Sequence, residues 1–230
     1  MNIKEKLILH KYFLLIILVM LIIIIILTIS IFTKNSNFSN PYEVKVKDYD
    51  NFLFLGDSIT DFYPLDEYYD NLPVVNSGIS GNRTTDILND MIKRVYQYNP
   101  TKIFILIGTN DLDSNDSDIV DRTYKNIKKI ITKIKNNRNR AKIYLESVYP
   151  VNKDVDSNAV NNRDNKKIKR LNKKIENYCL STNNCNYINL YNDLVDANGN
   201  LNSKYTTDGL HLNSLGYVVV TRELLPFLSD

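Results

Sequence analysis

Two histidines occur in the chain, and only His211 lies beyond residue 10. Chemistry that needs an imidazole base must use it, because His10 precedes a long apolar run. Asp208-Gly209-Leu210-His211 sets a carboxylate three positions before the ring. On a turn or short helix that spacing lets the two side chains meet. Far upstream, Phe52-Leu53-Phe54-Leu55 runs into Gly56-Asp57-Ser58-Ile59-Thr60. A hydroxyl after an apolar run, an imidazole and an orienting carboxylate are the parts of serine-type acyl transfer. Each part alone has a plainer account: Ser58 or Asp57 capping a helix, His211 as a surface histidine. The absence of any other base weighs against the latter.

Two more segments carry the same sort of signal. Asn76-Ser77-Gly78-Ile79-Ser80-Gly81-Asn82 holds two glycines, which let backbone approach a ligand and aim an N–H at it. Its plain alternative is a strand-to-helix turn. Gly108-Thr109-Asn110-Asp111 ends the most apolar strand candidate, and the Asn110 amide there can donate to an oxyanion or merely cap the loop.

These residues need a frame that gathers them. Short apolar runs at residues 51–55, 74–76, 102–107, 142–147 and 186–190 read as strands. The middle one is continuously apolar from Ile103 to Ile107, as expected of a strand covered on both faces. Helical patterns lie between them. Thr84 or Thr85 is placed to cap a helix whose Ile87, Leu88, Met91, Ile92 and Val95 form one stripe, and Ser117 to open another with Ile127, Ile130, Ile131 and Ile134 inward. Residues 166–178 and 214–228 supply two more. Alternation of strand and helix implies an α/β fold with a parallel sheet covered on both sides. Sites in such sheets form beyond the carboxyl ends of the strands, where Ser58, Gly81 and Asn110 all fall.

Taken together, the four segments resemble the SGNH, or GDSL, family of hydrolases. Gly-Asp-Ser-Ile-Thr matches its first block, Ser-Gly-Ile-Ser-Gly-Asn its second, Gly-Thr-Asn-Asp its third and Asp-Gly-Leu-His its last, in the family's order. The resemblance implies a three-layer α/β/α, flavodoxin-like fold and a serine esterase that needs no metal or organic cofactor. It implies Ser58 as nucleophile, with Asp208 and His211 completing the triad. It further implies an oxyanion hole made of the Ser58 N–H, Gly81 and Asn110. Gly81 is preferred to Gly78 because it stands in the family's Gly-Asn position. Arg83 before Thr84 departs from the pattern. Gly81 is expected to resist any side chain, by blocking the pocket and straining the loop.

Residues 13–32 are apolar save Thr28 and Ser30. As a helix they would extend about 30 Å, the thickness of a hydrocarbon core. The run is long for a signal peptide and ends in Ile31-Phe32-Thr33-Lys34, unlike a cleavage site. The organisation expected is a tail at 1–12, a single-pass membrane anchor at 13–32, a tether at 33–50 and a hydrolase domain at 51–230, the last outside the cytoplasm. Beyond Phe32 there remain 26 Lys+Arg against 25 Asp+Glu, a balance that gives no support for nucleic-acid binding. Cys179 and Cys185 could close a short loop or stay free; with no CxxC or second metal-type pair, a zinc site is not expected. The substrate expected is a small acyl ester, acetyl foremost, on a small molecule or glycan. The alternatives are a lysophospholipase or platelet-activating-factor-acetylhydrolase-like lipid esterase, transfer of the acyl group to a sugar, and an anchored carbohydrate-binding or assembly protein with a degenerate site.

Overall fold

The computed structural model describes residues 17, 20–24, 47, 50–138 and 140–229. The chain divides into two compact units, Met1–Glu43 and Val44–Asp230. In the first, residues 20–24 are helical. The apolar segment at 13–32 lies mostly outside the described residues, and no helix among those described is long and apolar enough to cross a membrane.

The second unit is built on five parallel strands: β1 (Phe52–Gly56), β2 (Val74–Gly78), β3 (Lys102–Leu106), β4 (Lys142–Glu146) and β5 (Cys185–Ile188), in the order β2-β1-β3-β4-β5. Strand residues alternate between two different cores. Leu53, Leu55, Ile103, Ile105, Ile143 and Leu145 face an aliphatic layer. It is completed by Ile127, Ile130, Ile131 and Ile134 of one helix (Ile119–Asn137) and Ile168, Leu171 and Ile175 of another (Asn165–Leu180). Phe52, Phe54, Phe104 and Tyr144 face the other way. The register pairs Phe54 with Phe104 and Phe104 with Tyr144, so three rings stack across three strands, with centroids 4.8 Å apart at each step. Val220, Leu224 and Leu228 of the last long helix (Ser214–Leu228) cover that aromatic face.

We label the helices used below α1 (Ser58–Asp61), α2 (Thr84–Asn89), α3 (Ile119–Asn137), α4 (Asn165–Leu180) and α5 (Ser214–Leu228). Three boundaries differ from the sequence expectation. The stripe from Ile87 to Val95 is not one helix: Asp90 leaves helical geometry at φ −132°, ψ 43°, and a separate turn follows at Met91–Arg94. The break leaves Ile92 exposed, while Ile87, Met91 and Val95 remain buried. Arg83, not a threonine, stands at the N-cap of α2, and its own N–H donates to Asp86 Oδ2 at 2.7 Å. Helix α3 begins at Ile119, two residues after Ser117. A disulfide joins Cys179 in the last turn of α4 to Cys185 at the start of β5, which decides between the two states left open by the sequence.

Candidate active site

The strands all run parallel, but the direction in which successive strands are added reverses between β1 and β3: β2 lies on one side of β1, and β3, β4 and β5 follow on the other. Loops leaving β1 and β3 part company there and open a crevice at the carboxyl edge. Ser58 follows β1 and Asn110 follows β3.

Gly56 ends β1 in a turn so tight that a Cβ on it would lie 2.1 Å from Thr60 Oγ1 and 2.5 Å from the Leu106 carbonyl. Only glycine permits the chain to swing at once into α1. Asp57 caps that helix, its carboxylate accepting from the Ile59 N–H at 3.1 Å, and Ser58 opens it, 7% exposed. Burial pushes the Asp57 carboxyl up to about 7 against the pull of the Ile59 N–H and of Arg163.

Asp208 and His211 lie on a hydrogen-bonded loop closed by a bridge between Thr206 and Leu212. His211 Nε2 is 2.9 Å from Ser58 Oγ, and His211 Nδ1 is 2.6 Å from Asp208 Oδ2. The carboxylate can only accept from Nδ1–H, so Nε2 is left as the acceptor facing the serine. The other Asp208 oxygen accepts from the N–H groups of Leu210 at 2.9 Å and His211 at 2.8 Å, and from Thr206 Oγ1 at 3.3 Å. Partial burial works to raise this carboxyl, but the hydrogen bonds from the His211 ring and from the two backbone N–H groups hold it below its ordinary value. Tyr217, one turn into α5, donates to the Ile59 carbonyl at 2.8 Å and so ties the histidine-bearing segment to α1. The exposed Phe62 ring sits 5.2 Å from the imidazole.

Gly81 takes a φ of 79°. Its neighbours are pinned: the Ser80 N–H and hydroxyl both donate to Asp61 Oδ2, at 3.1 and 2.6 Å, and the Asn82 carbonyl accepts from Asn110 Nδ2 at 3.0 Å. The second-block loop is thereby held between the end of α1 and the loop after β3. A Cβ on Gly81 would meet no protein atom within 4 Å, so within the folded chain it is the positive φ that disfavours a side chain there. Ser58, His211 and Asp208 are thus brought into one hydrogen-bonded line, and Asn110 and the Gly81 loop into a second cluster.

Sequence reasoning missed the groups that hold this arrangement. Buried Arg94 reaches across the carboxyl ends of β1 and β2. It donates to the Gly56 carbonyl at 2.9 Å, to Ser77 Oγ at 3.2 Å, and to the Ser77 carbonyl and Asn82 Oδ1. Buried Arg163 donates to the Thr109 carbonyl at 3.0 Å and to Asn110 Oδ1 at 2.8 Å. Asp111 accepts from the Thr84 N–H and hydroxyl, at 2.9 and 2.5 Å, anchoring α2 to the loop after β3. Arg163 sits in a polar stretch and Arg94 beside Lys93 among the apolar positions of an amphipathic stripe, places where a charge reads as solvated surface, so no local signal marked them.

A doubly covered parallel sheet with a serine, imidazole and carboxylate in line at its switch point defines the class of α/β acyl hydrolases. The pattern of the GDSL-like Lipase/Acylhydrolase family matches residues 54–219. The chain belongs to that family. Among solved structures it is similar to a provisionally named platelet activating factor from Streptococcus pneumoniae. That likeness has 32% identity and a TM-score of 0.73, and covers 85% of this chain and 90% of the other. It is also similar to a GDSL-like lipase from Bacteroides thetaiotaomicron, with 26% identity and a TM-score of 0.69, covering 85% and 94%. A curated relative, N-acylneuraminate cytidylyltransferase of Escherichia coli O18:K1:H7, is 33% identical over 193 residues. That match takes in 82% of this chain and 43% of the relative, so the chain spans less than half of the relative's length.

Proposed function

We propose that this chain is a membrane-anchored serine esterase that removes small acyl groups, acetyl foremost, from a carbohydrate or other small-molecule ester. The observation that carries the reading is the hydrogen-bonded line from Ser58 Oγ through His211 to Asp208. Ser58 Oγ attacks the ester carbonyl as His211 Nε2 takes its proton, and Asp208 stabilises the imidazolium. The oxyanion is held by the Ser58 and Gly81 N–H groups and the Asn110 amide, of which one hydrogen is committed to the Asn82 carbonyl and the second remains to donate. His211 then returns the proton to the departing alkoxide. Water, deprotonated by the same ring, releases the acid and restores the serine. Anchoring rests on the 20-residue length of the apolar segment 13–32. The carbohydrate preference draws support from the curated relative whose name refers to a sugar acid.

A second reading, a lipid esterase, is favoured by one observation. Phe62 stands 53% exposed beside the His211 ring, and α5, which follows His211, exposes Leu215 and Val218 at 60% and 52%. An exposed apolar ring against the site's imidazole, with further exposed apolar groups on the helix that follows it, suits an acyl chain. The deciding experiment is a hydrolysis panel run on the full chain in vesicles and on a chain beginning at Asn40. It comprises p-nitrophenyl esters from acetyl to palmitoyl, acetylated xylan, O-acetylated N-acylneuraminate and lysophosphatidylcholine. Turnover that peaks at acetyl, extends to an acetylated carbohydrate and survives loss of the first 39 residues supports the proposal. Turnover confined to lysolipid and lost with those residues establishes the lipid reading instead.

A further inference from the structure

An asparagine side chain is nearly symmetric in shape, yet its two ends have opposite electrical sense. Asn110 can serve an oxyanion only if Nδ2 faces the crevice. A half-turn of the amide would present Oδ1 to the developing negative charge and turn attraction into repulsion. Something must therefore choose the orientation. The Asn82 carbonyl is one selector, since it only accepts, and it takes Nδ2 at 3.0 Å.

The other selector is Arg163. Its side chain is 8% exposed and belongs to the loop just ahead of α4. The guanidinium has no acceptor, so it can pair with Oδ1 and never with Nδ2. Nη2 does so at 2.8 Å, while Nε of the same rigid fork donates to the Thr109 carbonyl at 3.0 Å. Arg163 thus grips the peptide ahead of Asn110 and the end of its side chain together. The fork is fixed from behind by Nη1, which donates to the Val160 carbonyl at 3.2 Å and to that of Ala159 at 3.4 Å, and lies 3.4 Å from Asp113 Oδ2. Asp113 is itself held by the Asn162 N–H at 3.1 Å.

We propose that Arg163 is a positioning residue for catalysis, acting through Asn110 by locking its amide with Nδ2 toward the nucleophile. The inference rests on the reading of Asn110 as an oxyanion donor. Lysine cannot substitute, because a single ammonium does not span the Thr109 carbonyl and Asn110 Oδ1 as the planar fork does.

The test is a double-mutant cycle on the full-length protein with p-nitrophenyl acetate: wild type, Arg163→Gln, Asn110→Ala and the pair. Arg163→Gln is expected to lower kcat by about 10- to 100-fold with KM within about twofold, because the amide acts on charge that forms in the transition state. Asn110→Ala is expected to lower kcat by about 10²–10³-fold. In the Asn110→Ala background no amide is left to orient, so Arg163→Gln should then change kcat by no more than about twofold. An equal loss in both backgrounds, or no loss in the wild type, overturns the positioning role. If Asn110→Ala itself keeps full kcat, the oxyanion reading fails, and the cycle shows that separately. Should Arg163→Gln not fold, Arg163→Lys and Asp113→Asn take its place. Both keep a cation at residue 163 but loosen the fork, and each should lower kcat in the wild type and not in the Asn110→Ala background. Additive losses would refute the proposal.

Discussion

At the scale of single residues, the site is built from groups with few spare bonds. Asp208 uses one oxygen for the His211 ring and the other for two backbone N–H groups, so its loop and the ring it orients are set by the same carboxylate. Ser58, by contrast, contributes no hydrogen bond to the core beyond the ordinary turn of α1, where its carbonyl accepts from the Phe62 N–H. Ser58→Ala should therefore fold normally and lower ester hydrolysis by about 10³-fold or more. A fluorophosphonate probe read by mass spectrometry should mark the wild type at Ser58 and leave the alanine variant unlabelled. Labelling that persists in the variant would assign the nucleophile elsewhere.

Among the elements, the strand edges and helix ends do the positioning. Arg94 and Arg163 each bind loops that leave neighbouring strands, so the crevice is shaped by side chains arriving from outside the four sequence blocks. Far from that crevice, the disulfide closes the turn between α4 and β5. A loop this short limits the unfolded chain by about 2 kcal/mol in the chain-entropy account. Cys179→Ser with Cys185→Ser should lower the melting temperature by about 5 °C in a domain of this size while leaving kcat unchanged. Calorimetry and the p-nitrophenyl acetate assay check the two halves of that statement. A loss of activity at temperatures where the variant is folded would show that the link reaches the site.

For the molecule as a whole, the cost of the aromatic core appears in its acids. Burial pushes Asp57 from 3.8 and Glu146 from 4.5, each up to about 7; Tyr149 donates to Glu146 at 2.6 Å, while Asp57 Oδ2 has no hydrogen-bond partner. The folded state therefore keeps protons that the unfolded chain releases from about pH 4 upward. Their contribution is complete below about pH 4 and is lost as pH rises through about 7. At about 1.4 kcal/mol per pH unit, Asp57 alone accounts for on the order of 4 kcal/mol. The carboxylates held low, Asp113, Asp116, Asp121 and Asp208, act in the opposite sense, but only below about pH 3.8, outside this window. Urea denaturation at pH 4.5, 6 and 7.5 should show unfolding free energy falling with pH. Asp57→Asn should show a shallower fall whatever its absolute stability; an unchanged slope would remove Asp57 from the account.

What the sequence determined by itself was whatever depends on neighbours along the chain. Strand and helix alternation, the continuous apolar run of β3 and the inward isoleucines of α3 follow from periodicity, and with them the parallel sheet. The loops carrying Ser58, Gly81 and Asn110 were legible because each follows an apolar run, and His211 because no other imidazole lies beyond residue 10. The tertiary structure decided what depends on distance in space. The 2.9 Å approach of His211 to Ser58 spans 153 positions of sequence, and no local pattern encodes it. The break at Asp90 escaped periodicity because Ile92 fits the helical stripe by spacing, yet the chain turns before it can face the core. Arg94 and Arg163 looked like surface charge. A guanidinium is buried only where several carbonyls converge on it, and that convergence exists only after β1, β2 and β3 have brought their ends together.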